Sequence, residues 1–258
     1  MKHLLPQNWN QQILAERPNS QLAIQSWWFH PTAWRELLSS LRSLRWLGLT
    51  VFLIAVLAVA AEAVAGLLEL RETISPETAA WFRVSKDWSI GEMAGYIELL
   101  AAAVFLFLTA QALQSKLHYY FSALTAFLVL DDALQLHERV GEIIGDQFFH
   151  AVAGLRPQDL GELTYFACII LIALAMLVWS FMASTKPQRA QCLFLVLPMA
   201  FIAFSSTGLD LLHALVPEDN RLLGGVVAIV EDGSEILGFG ILLLVAAAQW
   251  KLTRRTVK

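Results

Sequence analysis

The sequence predicts an all-α integral membrane protein: a six-helix transmembrane bundle preceded by an interfacial amphipathic N-terminal helix. Three observations predict it. Hydrophobic residues make up 57% of the 258 positions, and charged ones only 16%, where a soluble domain carries about 25%. Six apolar runs are each long enough for a hydrocarbon core about 30 Å thick. No long polar linker separates these runs, so residues 47–250 read as one domain, with 1–46 before it and a basic tail, 251–258, after it.

The start, MKHLLPQNWNQQ, has no continuous apolar stretch and no small-residue cleavage site. No cleaved leader is expected, and the first span directs insertion itself. Next, WFHPTAWRELLSSLRSLRW puts Trp34, Leu37, Leu38, Leu41 and Leu44 on one helical face and Arg35, Arg42 and Arg45 elsewhere. That is the pattern of a helix lying in the membrane interface, anchored by tryptophan. The six spans follow at about 47–70, 91–113, 119–136, 163–182, 192–215 and 222–250. The last is long enough to tilt, or to break near Gly224 and Gly225. The two cysteines, Cys168 and Cys192, fall at opposite depths, so they pack rather than bridge.

Basic residues set the orientation. One side collects Arg35, Arg42, Arg45, Lys116, Lys186, Arg189, Lys251, Arg254, Arg255 and Lys258 near span ends. Positive charge marks the cytoplasm, so both termini are placed there and the protein in a plasma (inner) membrane. The acids sharpen this. Of 22 acidic residues, only Glu16 and Glu36 fall on the cytoplasmic side.

The remaining acids concentrate at one depth. Glu62 and Glu69 lie in the outer half of the first span, and Glu92 and Glu98 in that of the second. The third ends in LVLDDALQLHERVGE, with Asp131, Asp132, His137 and Glu138. The fifth ends in SSTGLDLLHAL, with Asp210 and His213. The sixth carries VEDGSEILGFG, with Glu231, Asp232 and Glu235. The fourth contributes none in its interior. An ionisable group in a bilayer costs several kcal/mol unless something satisfies it. No lysine or arginine falls mid-span, so the acids need protons or a metal ion. Spacing supports grouping. Asp131, Gln135, Glu138 and Glu142 form one stripe, Asp210 and His213 are i, i+3, and Glu231 and Glu235 are i, i+4.

These patterns predict metal ligands at Glu98, Asp131, His137, Glu138, Asp210, His213 and Glu235, with Asp132 and Glu231 as acid–base groups. Imidazole mixed with carboxylate suits a divalent ion such as iron, manganese or zinc. The match to a di-iron bundle is partial, because the third span has no acid three residues before its histidine. Nor does the chain have the histidine-rich last helix of the alkaline-ceramidase and adiponectin-receptor type of membrane hydrolase.

The expected function is therefore a membrane-embedded hydrolase or oxidoreductase that meets a lipid-like substrate in the bilayer. The contrasting reading is a proton-coupled or divalent-cation transporter or channel. Against it, LAAAVFLFL, CIILIALAML and ILLLVAAA make the inner halves almost pure hydrocarbon. A non-catalytic subunit of a membrane complex, or a homodimer, is the third reading. Each single group also has a blander role. His137 caps its helix, Glu69, Glu92, Glu142 and Asp146 are solvated, and Ser205, Ser206 and Thr207 bond to their own backbone. Nothing in the sequence forms a basic stripe for nucleic acid.

Overall fold

The computed structural model describes residues 31–84, 86, 88–152, 155–216 and 220–256. Residues 1–30, on which the expectation about a leader falls, lie outside them, as does the side chain of Trp34. The elements run α1 (Pro31–Ser43), α2 (Arg45–Leu70), α3 (Pro76–Ala80), α4 (Ile90–Leu113), α5 (Lys116–Ala133), α6 (Leu136–Phe148), α7 (Pro157–Met182), α8 (Lys186–Ala203), a π-helical stretch (Phe204–Leu209), α9 (Asp210–Ala214) and α10 (Arg221–Thr256). Among the described residues the only extended pairing is a single bridge between Val152 and Leu155.

Among the described residues, five segments are long and apolar enough to cross a membrane: Arg45–Leu70, Ile90–Leu113, Pro157–Met182, Lys186–Ala214 and Leu223–Arg255. The chain is an all-α, multi-pass membrane protein. The expected third span is not among the five. Its helix, α5, has 18 residues and includes Lys116, Asp131 and Asp132, which lower its apolar character.

Short polar residues start the helices where the sequence switches to apolar. Ser89 accepts from the Glu92 backbone N–H at 3.1 Å, and Ser115 from that of His118 at 3.4 Å. Three local departures from the expected spans matter. First, α5 stops at Ala133, and Gln135 takes a left-handed conformation, φ 50°. That turn breaks the stripe expected from Asp131 to Glu142 and gives His137 and Glu138 a helix of their own. Second, the fifth span is interrupted: six π-helical residues precede Asp210. Third, α10 does not break at Gly224 and Gly225 but runs unbroken for 36 residues, about 54 Å.

Helix α10 is the centre of the bundle. It packs against α1, α2, α4, α8 and α9. The apolar core (Leu99, Leu106, Leu117, Leu195, Leu242 and Ala246 among others) is completely or almost completely buried. Small residues let the backbones close up, as between membrane helices generally. A Cβ at Gly233 would lie 2.7 Å from Val59, and one at Gly95 would lie 3.0 Å from Phe239. The helix α1 is docked rather than merely interfacial. Leu37 is buried, and the buried Ser40 hydroxyl donates to the Ala248 carbonyl of α10 at 3.1 Å.

The α6–α7 hairpin is the closest contact. The two helices run antiparallel, Gly141 facing Gly161 and Gly145 facing Pro157. A Cβ on Gly161 would lie 2.7 Å from the Gly141 carbonyl carbon and 2.8 Å from the Gly145 nitrogen. The rest of α7 is scarcely buried and presents Leu171, Leu174, Val178 and Trp179 outward.

The end of the bundle away from the acids is less purely hydrocarbon than expected. His118 is completely buried there. Its Nδ1 lies 2.8 Å from Ser115 and its Nε2 3.2 Å from Gln249, whose amide donates to the Gln191 carbonyl at 2.7 Å. Cys192 packs beside that ring at 3.8 Å, and both cysteines are free.

Candidate functional site

The glycine-mediated approach of α6 to α7 sets His137 among α5 and α7. Its Nδ1 donates to Asp131 Oδ2 at 3.2 Å, and the Tyr165 hydroxyl of α7 donates to the other Asp131 oxygen. The ring stacks on Phe166, with centroids 5.4 Å apart. Its Nε2 is 4.0 Å from Glu138. Burial by itself disfavours the His137 imidazolium. The bond to Asp131 and the charges of Asp132 and Glu162 outweigh burial and hold its pKa above the ordinary histidine value.

A second histidine–carboxylate pair stands nearby. The π-helical stretch delivers Asp210 and His213 to the acidic end, and His213 Nδ1 donates to Glu231 Oε2 of α10 at 3.0 Å. Asp210 lies within electrostatic reach of His213, His137, Asp159 and Arg156. Glu162 of α7 is within reach of His137, Asp210 and Glu138, and accepts from the Gln158 amide at 2.8 Å. Asp210 is thus within electrostatic reach of both histidines, and Glu162 of His137.

The other acids form a second layer. Glu235 takes a hydrogen bond from Ser206 and lies near Asp132. Asp132 and Glu92 both bond to the Tyr96 hydroxyl, the latter at 2.6 Å. Asp232 bonds to Glu62, which also accepts the Val84 backbone N–H at 2.9 Å. Glu98 is set apart. It is 3% exposed, and neither carboxyl oxygen has a hydrogen-bond partner among the described residues. It sits against Gly240, away from both histidines' partners. The structure therefore gathers His137, Glu138, Asp131, Asp210, His213 and Glu231 toward one region and links Asp132 and Glu235, but leaves Glu98 outside.

A cavity of about 1580 Å³ opens beside these groups. Glu62, Asp159, Glu162, Asp210 and His213 form its polar wall. Leu67, Leu70, Val226 and Ile229 form an apolar one. Two ion pairs frame it: Arg83 to Glu69 at 2.9 Å and Arg156 to Asp159 at 2.7 Å. Among the described residues, no three His, Cys, Asp or Glu side chains converge as they would around a metal ion.

The expected fourth span, 163–182, leaves Asp159 and Glu162 outside it and takes in Tyr165 without assigning it a role. Asp159, Glu162 and Tyr165 recur every third residue at the start of α7, so a stripe was readable in PQDLGELTY. Of the three serine and threonine positions read as bonding to their own backbone, Ser205 does so, to Phe201 at 2.9 Å, whereas Ser206 reaches Glu235.

A family model described as a domain of unknown function (DUF8692) matches residues 51–250. The chain belongs to this family. The match begins inside α2 and ends inside α10, so it takes in every residue of the site and leaves α1 outside. No curated protein and no solved structure matches the chain.

Proposed function

We propose that this family member is a six-span inner-membrane enzyme, with both termini cytoplasmic, that binds a divalent metal at its acidic end and acts there on a lipid-like substrate. One observation carries the reading. Both histidines of the site present Nδ1 to a carboxylate from a different helix, His137 to Asp131 and His213 to Glu231. A carboxylate on Nδ1 fixes the tautomer and leaves Nε2 as a lone-pair donor, which is how metal-ligating histidines are oriented. Asp131 and Glu231 are then positioning residues. The ligand set becomes His137, His213, Asp210 and Glu162, with Glu138 at its edge. Imidazole with carboxylate suits iron, manganese or zinc, and such an ion would supply Lewis-acid activation of water or oxygen. The described side chains do not converge on one point, so a shared ion would require α9 to close toward the α6–α7 hairpin. Asp132 and Glu235, one layer further in, are left to hold and pass protons.

The span count rests on connectivity. Helices α4 and α5 are joined by the tight turn at Gln114 and Ser115, and α7 runs antiparallel to α6. If α4 and α7 cross, α5 crosses between them. The basic residues at the end remote from the acids support a cytoplasmic location for that end.

The unpartnered Glu98 favours a second reading, proton-coupled transport. Below it, however, Leu99, Leu106, Leu117, Leu195 and Leu242 close the core. The deciding experiment is elemental analysis of the untagged, detergent-purified protein beside His213→Ala and Asp210→Ala. About one or two equivalents of iron, manganese or zinc, lost in both variants, is the expected result. A metal-free wild type, or variants that keep their metal, sinks the metalloenzyme reading.

A further inference from the structure

Helices α2 and α10 meet and then part. They run antiparallel, Gly48 against Leu244, Val51 against Gly240 and Val59 against Gly233. Continued in register, the next facing pair is Gly66 with Val226. There the contact has ended. A Cβ on Gly66, Gly224 or Gly225 would meet nothing within 4 Å among the described residues. The gap they leave is one side of the cavity. Ala63, Gly66 and Leu67 line it from α2, and Gly225, Val226 and Ile229 from α10.

Both edges of the gap belong to membrane-spanning segments. Val64, Leu67 and Leu70 on one edge and Leu223, Val226 and Val230 on the other are exposed, large and apolar. In a bilayer such residues face acyl chains, so the gap opens sideways into lipid. Its far wall is the polar one, with Asp210, His213 and Glu162. At about 1580 Å³ the cavity exceeds the roughly 300–1,000 Å³ of ordinary small-molecule pockets, which fits an occupant carrying a long chain.

We infer that the gap between α2 and α10 is a lateral opening, through which a bilayer phospholipid places an acyl chain against Leu67 and Val226 and its headgroup end at the Asp210–His213 wall. This deepens the proposed function by naming the substrate class and its route, and it rests on that reading only for the chemistry. Small residues make the opening. Gly66 and Gly225 on facing helices leave the width of two side chains free, so filling either narrows it without touching the histidines.

The test uses the full-length protein in nanodiscs of phosphatidylethanolamine and phosphatidylglycerol, doped with a phosphatidylcholine bearing a diazirine at the glycerol end of its acyl chain, next to the headgroup. Photolysis is followed by peptide mapping. The expected α9 adducts that count are those on His213 and Ala214, which line the cavity; annular lipid reaches the outward Leu212 of the same helix and the exposed face of α7. Gly66→Trp and Gly225→Trp should lose the His213 and Ala214 adducts and keep those on α7, the internal check on folding. If Gly66→Trp fails to fold, Gly66→Cys capped with a bulky maleimide after folding replaces it, with Cys168 and Cys192 changed to Ser in its background. Adducts confined to outward faces in the wild type, or His213 and Ala214 adducts that survive both blocks, overturn the inference. Metal content measured on the same samples separates the two ideas. Lipid on His213 and Ala214 without metal fails the metalloenzyme reading alone, and metal without lipid on those two residues fails this one alone.

Discussion

Gly161→Ala should destabilise the protein, although the same change in most helices is favourable. The added methyl would sit 2.7 Å from the Gly141 carbonyl carbon and 2.8 Å from the Gly145 nitrogen, both backbone atoms that no rotamer change can move. Closer still is the Gly141 carbonyl oxygen, which the methyl would overlap outright; ordinary van der Waals contact needs roughly 3.5–4.0 Å, so α6 and α7 must separate by more than about 1 Å. Overpacking of this kind costs about 1–3 kcal/mol. Replacing a mid-helix glycine by alanine returns roughly 0.5–1 kcal/mol. The two ranges leave a net of about 0–2.5 kcal/mol, and direct overlap with a backbone oxygen puts the loss in the upper part, about 1–2 kcal/mol, on the order of tenfold in the folding equilibrium. Thermal unfolding of the detergent-solubilised protein measures it, with Gly66→Ala as the matched control. Gly66 faces open space, so there only the propensity gain remains and stability should rise slightly. Equal shifts in the two variants, or a stabilised Gly161→Ala, would refute the argument that backbone contact sets the α6–α7 spacing.

The same hairpin predicts the effect of losing the hydroxyl that holds Asp131. Tyr165→Phe leaves a buried carboxylate oxygen without its donor and should cost about 1–3 kcal/mol, read as a lowered unfolding midpoint. The pH dependence of His137 has a definite sign. Its folded pKa lies above the ordinary value of 6.5, so the Asp131–His137 pairing stabilises fully below that value and is lost as pH rises through the folded pKa. Asp131→Asn should flatten this slope, and an unchanged slope would mean that another group titrates there. If the metal site is as proposed, Glu231→Gln should weaken metal affinity by roughly 10–100-fold without abolishing it, in contrast to the complete loss expected for His213→Ala. Equilibrium dialysis against the metal distinguishes the two.

The membrane class and most helix positions were legible because a bilayer imposes one strong rule: a span must be long and apolar. The convergence of acids was legible because burying each one is costly. What could not be read was how the helices meet. Periodicity carried Asp131 through to Glu142 as one stripe, since nothing local announces that Gln135 adopts φ 50°. Glu98 was grouped with the site because depth is readable from sequence and lateral position is not. It faces Gly240 rather than the histidines. Glu162 falls outside an expected span that starts six residues late, at 163 rather than Pro157, while Tyr165 lies inside that span with no charge to mark it. The glycines Gly141, Gly145 and Gly161 were visible as letters. Their meaning is a distance between two helices, which only the packed structure supplies.

The π-helical stretch Phe204–Leu209 makes the site sensitive to chain length as well as chemistry. Its wider turn, closed by i→i+5 bonds, holds one residue more than an α-helical turn would. Everything after it is therefore rotated about the helix axis by about 100° relative to an uninterrupted helix. That rotation faces His213 toward Glu231. Deleting one residue from FSSTGL would restore a smooth α-helix, conserve every acid and histidine in the chain, and turn His213 away from its partner. The phase of this helix, set by a single surplus residue, is part of the site.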